Sequence, residues 1–151
     1  MTMAVELKVK RLLPDARLPV YGTDWAGCFD LFVADGAEPR PHPRDDQADI
    51  YRTGLAFEIP GGHVMLIFSR SGHGFKDSLR LSNCVGVIDS DYTGEVMVSL
   101  RFDSANGIRR IEPGERIAQA MVIPLPFATF TEVDELAQTR RGSGGFGSTG
   151  R

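Results

Sequence analysis

The chain has 151 residues, 42% apolar and 25% charged, with a formal net charge of −3. That length and mixture suit one folded domain and exclude a wholly disordered chain. The acidic balance lacks the basic footprint of a nucleic-acid binder, and no apolar run approaches the roughly 20 residues of a membrane span, so neither partner is expected.

At the N-terminus, Val5, Leu7 and Val9 alternate with Glu6, Lys8 and Lys10, the period of a half-buried strand. The charges there leave no apolar run of the kind a secretory signal carries. Residues 29–34 and 55–59 read as further strands. Between them, residues 36–49 hold Pro39, Pro41 and Pro43 among charges, which predicts a surface loop within one domain. The apolar runs 64–68, 85–88 and 120–125 read as strands buried on both faces. Residues 75–80 are the best place for a short helix. Val96, Val98, Leu100 and Phe102 alternate with Met97, Ser99 and Arg101 and give another half-buried strand. Turn signals at Pro60-Gly61-Gly62, Thr93-Gly94, Asn106-Gly107 and Pro113-Gly114 separate these runs. Many short strands at this spacing make an all-β sandwich, barrel or jelly roll.

Cys28 and Cys84 have no metal-ligand spacing and read as buried thiols of a reducing compartment. His42, His63 and His73 read as solvated surface residues. Glycine is 17 of 151 residues, against a usual share of about 7%, and five fall in the last ten. Gly142, Gly144 and Gly147 match a dinucleotide fingerprint, but that motif needs a helix after it and only four residues follow. Asp89, Asp91 and Gly94 loosely resemble a calcium loop, whose twelfth position would be Leu100 and not Glu.

Five segments carry chemistry: Ala26 to Leu31 with Asp30, Ser69 to Gly72, Gly86 to Glu95, Gly114 to Gln119, and Arg141 to Gly150. In the second, Arg70, Ser71 and Gly72 offer a cationic fork, a hydroxyl and backbone N–H groups, which suits phosphate oxygens. In the third, Asp89 ends an apolar run where a carboxylate can deprotonate a water, and Tyr92 can stack on a ring. In the fifth, Phe146 stands between glycines with Arg141 five residues before it, the makings of an arm that closes over a nucleotide.

In this order the five segments resemble the trimeric dUTP diphosphatases, the dUTPases. The resemblance implies a distorted jelly-roll β-barrel over residues 1–140, with 36–49 as a surface loop insertion. Residues 141–151 would be a mobile Gly-rich arm capping the site of a neighbouring subunit. It implies a homotrimer with shared active sites, acting on dUTP with Mg²⁺ in the cytoplasm, or the host cytoplasm if phage-encoded. The implied reaction gives dUMP and pyrophosphate, limiting uracil in DNA and supplying dUMP for dTMP synthesis. Carried over by position, Asp89 activates the attacking water and Tyr92 lies under the deoxyribose. Asn83 and the backbone of Val87, Ile88 and Met97 read uracil. Arg70, Ser71, Gly72, Gln119 and Arg141 contact phosphates, as do Gly147, Ser148 and Thr149, while Phe146 covers the base. Asp30 is implied near the metal's water shell. The sequence departs from the family at Cys28, at Ser69 in place of a common Pro, and at His73-Gly74 in place of Leu-Ala. A dCTP deaminase would share the fold, but it usually lacks a Tyr three residues after the Asp and this Gly-Phe-Gly arm. A trimeric regulator docking through residues 36–49 is the other reading.

Overall fold

The computed structural model describes residues 4–103 and 111–145. Ten strands form two five-stranded antiparallel sheets. In the first sheet, β1 (Lys8–Arg11), β5 (Asp45–Glu58), β9 (Glu95–Phe102) and β7 (Leu79–Leu81) lie side by side, with β4 (Arg40–His42) also paired to β5. The second runs β2 (Val20–Tyr21), β3 (Phe29–Phe32), β10 (Arg116–Pro124), β6 (His63–Phe68) and β8 (Val85–Ile88). The arrangement is jelly-roll-like, and the two sheets stack without closing into the barrel that the sequence implied.

The core lies between the sheets because alternate residues point inward. From β9 come Val96, Val98, Leu100 and Phe102, as the alternation predicts, and they meet Leu31, Met65, Ile67 and Ile117 of the second sheet. The central strand β10 buries Ile117, Ala118 and Ala120. At β5 the period breaks, for Leu55, Ala56 and Phe57 are all buried. Gly54 has φ +68 there, and a side chain would meet the Cβ of Ala16 at 2.8 Å. Only glycine takes both the left-handed turn and the close approach, and it bends the 14-residue strand from one pairing to the next.

Four expectations change. Residues 36–49 contain β4 and the start of β5, which pair through a turn at Pro43-Arg44, with Arg40 opposite Ile50. Pro41 is tolerated because β4 is an edge strand needing no N–H on its outer side. The helix, α1, spans Ser71–Asp77 and stops at Ser78, whose φ of 52 turns the chain into β7. Two glycines in the helix hid it from a propensity reading. β8 is an edge strand with Val85 and Val87 exposed, not buried on both faces. Finally, Cys28 is half-buried and Cys84 exposed in the β7–β8 turn. Burial pushes the Cys28 thiol up, and the Asp30 carboxylate adds to this.

Candidate active site

The β8–β9 segment folds back on itself, so residues read as base contacts share one cleft. Asn83, Val87, Ile88 and Met97 line a cavity of about 520 Å³, joined by Ser82, Ser99, His42 and Asp45. Its floor is fixed by strand pairing, Val87 opposite Leu66 on β6 and Met97 opposite Arg52 on β5. A hydrogen bond of 2.9 Å between the Ser82 and Ser99 hydroxyls ties the turn to β9.

Asp89 follows β8 and opens the turn, its carbonyl accepting the N–H of Tyr92 at 3.1 Å. Its side chain is exposed. Tyr92 donates its hydroxyl to the Glu95 carbonyl at 2.9 Å. Its ring lies against Gly94, and this contact needs the absence of a side chain. Glu95 anchors the start of β9 to β5: it accepts two N–H groups of Arg52 and the N–H of Gly54.

A second hollow, about 350 Å³, is lined by Ser69, Arg70, Ser71, Gly74, Phe75 and Gln119. Arg70 precedes α1, with Ser71 and Gly72 in the first turn. Its Nη1 donates to the Arg116 carbonyl at 3.0 Å, and its Nε stands 3.4 Å from Asp30 Oδ1. Arg116 reaches the other oxygen of Asp30 at 3.2 Å. Gln119 Nε2 donates to the Ser69 carbonyl at 3.0 Å, leaving the amide's second N–H for a ligand. The Ser69 hydroxyl, where the family commonly has Pro, accepts the N–H of Leu81 at 2.9 Å.

The cleft and the hollow share no lining residue. Along the β6–β8 ladder, Phe68 pairs with Val85 and Met65 with Ile88. Arg70 and Asp89 continue from opposite ends of that ladder, three residues or about 10 Å long at ~3.3 Å per residue. Within one chain, the structure does not bring Asp89 to the phosphate residues. Arg141 is exposed, its Nε donating to the Gly144 carbonyl at 2.8 Å, and lines neither the cleft nor the hollow. Phe146, Gly147, Ser148 and Thr149 lie outside the described residues.

Asp30 is the carboxylate expected near a metal, and both its oxygens face guanidinium groups. Among the described residues, no three His, Cys, Asp or Glu side chains gather into a metal cage. With both oxygens paired in this way, Asp30 fits a hard cation only across that cation's own waters.

Sequence reasoning missed His73 and Glu115. His73 was read as solvated, yet it is 4% exposed, packed between Arg70 and Glu115. The spacing Arg70-x-x-His73 spans the first turn of a helix that the sequence predicts four residues later, so the two were not placed together. A larger groove of about 760 Å³, lined by Val5, Leu7, Leu18, Tyr21 and Phe29, is apolar and contains none of the predicted site residues.

A family model described as dUTPase matches residues 15–150. The chain is 43% identical over 147 residues to a deoxyuridine 5'-triphosphate nucleotidohydrolase of Nautilia profundicola, covering 97% of this chain and 100% of that one. It is 42% identical over 154 residues to the protein of the same name from Aeromonas hydrophila, covering 100% and 99%. Among solved structures, a Staphylococcus bacteriophage 80alpha dUTPase with dUPNHPP superposes with a TM-score of 0.80 at 27% identity, covering 98% of this chain and 100% of that one. A phage phi11 dUTPase of S. aureus, described with a structural Mg(II) ion, superposes with a TM-score of 0.70 at 24% identity, covering 87% and 98%. A family match of this extent, with relatives this similar along their whole length, means that the chain belongs to the dUTPase family, enzymes that hydrolyse dUTP.

Proposed function

We propose that the β8–β9 cleft takes the uracil and deoxyribose of dUTP, and that Asp89 activates the water that cleaves the triphosphate. One observation carries the reading: Asn83, Val87, Ile88 and Met97, named from the motif alone, line one cavity next to Asp89 and Tyr92. The Asn83 amide and the main chain of Val87, Ile88 and Met97 supply donors and acceptors for the base edge. Tyr92, pinned through its hydroxyl and packed on Gly94, is a rigid wall against which a ribose 2′-OH would collide.

The Asp89 carboxylate takes a proton from a water, whose oxygen attacks the α-phosphorus. The bond from that phosphorus to the oxygen bridging to the β-phosphate breaks. Pyrophosphate leaves with the electron pair, and dUMP remains. Arg70, Ser71, Gly72 and Gln119 hold the phosphates, with Arg141, Gly147, Ser148 and Thr149 of the arm completing the grip and Phe146 covering the base. Asp30 would stand near the water shell of a magnesium ion carried by the triphosphate, and that ion would supply neutralising charge.

The site is shared among three copies of the chain. The separation of Asp89 from Arg70 within one chain supports this, because a second copy must bring phosphate groups to the cleft. Phe127, Phe130 and Leu136 also stand at least 80% exposed, apolar surface of the kind a partner covers. The product supplies dUMP for dTMP synthesis and keeps uracil out of DNA, in the cytoplasm of the cell or of a phage's host.

The test is pyrophosphate release from dUTP, dCTP, dTTP and UTP with Mg²⁺. Release from dUTP alone is expected. Equal release from dCTP or dTTP would overturn the assignment of the cleft.

A further inference from the structure

Beneath the phosphate hollow lies a buried imidazole to which the reaction above gives no task. His73 sits on α1, and its Nε2 is 3.3 Å from Arg70 Nη1 and 3.3 Å from Glu115 Oε1. One ring nitrogen cannot serve both. With a proton on Nε2, it donates to the Glu115 carboxylate and offers nothing to a guanidinium, which only donates. In the neutral tautomer with its proton on the buried Nδ1, Nε2 accepts from Arg70 and turns a lone pair toward Glu115, whereas the imidazolium carries a proton on both nitrogens and can only donate.

We propose that His73 is a positioning residue for Arg70, and that its Nε2 alternates between Glu115 and Arg70, tying the grip on the triphosphate to the protonation of one buried ring. The inference rests on the reading of Arg70 as a phosphate contact. Arg70 itself stays charged throughout the working pH range. Its other anchors are the Arg116 carbonyl and the Asp30 carboxylate. Among these anchors, His73 is the one that the uptake of a proton withdraws.

The charged surroundings favour such a switch. On its own helix His73 has Asp77 four residues after it on the same face, and Arg70 stands just before the helix in extended backbone. From the turn before β10 comes Glu115, whose other oxygen accepts the N–H of Glu112 at 3.2 Å. From β10 and β3 come Arg116 and Asp30, paired with each other on the far side of Arg70. From β7 comes Arg80, committed to Asp103 at 2.6 Å. On acidification the imidazolium pairs with Glu115 and lies beside a guanidinium of like charge, so Arg70 is loosened. Within one chain, Asp89 lies past the opposite end of the β6–β8 ladder from Arg70, and neither its charge nor its contacts enter this cluster. KM for dUTP should therefore rise as pH falls, with kcat changed no more than in a non-titrating variant.

The experiment measures KM and kcat for dUTP, with saturating Mg²⁺, from about pH 8.5 to about pH 5.5, the range of an ordinary imidazole. The proteins are the intact wild type, His73→Gln, His73→Leu and Arg70→Gln. The terminal phosphate of dUTP titrates in the same window and moves every profile alike, so the ratio to wild type is what counts. A glutamine amide donates to Glu115 and accepts from Arg70 at once and does not titrate. Across the window, wild-type KM should rise about threefold or more beyond that of His73→Gln, with the kcat ratio constant. His73→Leu should lack the extra rise as well. If it fails to fold, the Gln variant decides alone. Parallel KM profiles for wild type and His73→Gln, or a difference confined to kcat, would overturn the inference. Arg70→Gln separates the two levels. An unchanged KM there overturns the phosphate role of Arg70 and the inference with it. A KM raised about tenfold, one lost charged contact, beside parallel wild-type and Gln profiles overturns the role of His73 alone.

Discussion

The groups proposed to meet the base, from Asn83 to Met97, come from one continuous stretch of chain, and much of what they offer is backbone. The phosphate hollow instead depends on charged side chains from distant segments: Asp30 is 86 residues from Arg116, and Arg116 is 46 from Arg70. The difference teaches how each part can fail. Strand register and packing set the cleft, so damage there changes shape and selectivity. Opposed charges set the hollow, so damage there changes affinity and its dependence on pH and salt.

Asp89→Asn tests that division at its hardest point. It removes a base from the end of the cleft without disturbing strand pairing, since Asp89 meets Tyr92 through its carbonyl and not its carboxylate. Turnover should fall by about 10²–10⁴-fold, the usual contribution of a general base. Affinity for a non-hydrolysable dUTP analogue, measured by calorimetry, should stay close to that of the wild type. Near-normal turnover would remove Asp89 from the chemistry.

A subtler break is Gly94→Ala. A methyl group there would sit 2.6 Å from the Tyr92 hydroxyl oxygen and 2.7 Å from Cζ, so the ring must move. The φ of Gly94 is not in the left-handed region, so alanine brings no backbone strain and the effect reports on the ring. The dUTP preference over UTP, as a ratio of kcat/KM, should drop by about tenfold with Asp89 intact. An unchanged ratio would mean that Tyr92 is not the wall against the 2′-OH.

The same contrast explains what could be read from the residues alone. The period-two alternation in 96–102 predicts β9 and its buried face, and the turn signal at Thr93-Gly94 predicts the turn that carries the chain from β8 in one sheet to β9 in the other, because both depend on neighbours in sequence. β8 was misplaced in the core because an apolar edge strand lining a cleft has the same composition as a buried one. Residues 36–49 were taken for a loop because three prolines mask a hairpin whose pairing is recorded only in β5. The hollow was legible as a list of phosphate-binding residues but not as a cluster. Nothing near Arg70 in sequence announces Asp30 or Arg116, and His73 gains its meaning only from Glu115, 42 residues away.

The 36–49 hairpin offers the smallest and sharpest test, because there the cleft has a wall held by charge. Asp45 lines the cavity and pairs with Arg101 of β9, which also holds Gln47 at 2.9 Å and Asp103 at 3.2 Å. Burial pushes the Asp45 carboxyl up, but the Gln47 N–H and the Arg101 guanidinium more than reverse this and hold it below the usual range. Asp103 is lowered too, by its hydrogen bond from Arg80 first and, after burial is offset, by Arg101. Carboxyls depressed by folding stabilise the native state above their unfolded pKa, about 3.9, and lose that contribution as pH falls through the lower folded value. Arg101→Gln should therefore lower Tm by only about 1–3 °C at neutral pH, since these pairs are partly solvated. The two Tm curves should converge in acid, once both carboxyls are protonated. A gap that persists in acid would mean that Arg101 acts through packing of its stem rather than its charge. If the variant also raises KM for dUTP while kcat holds, the hairpin is a working wall of the cleft, and the contrast between a shape-built cleft and a charge-built hollow narrows at that edge.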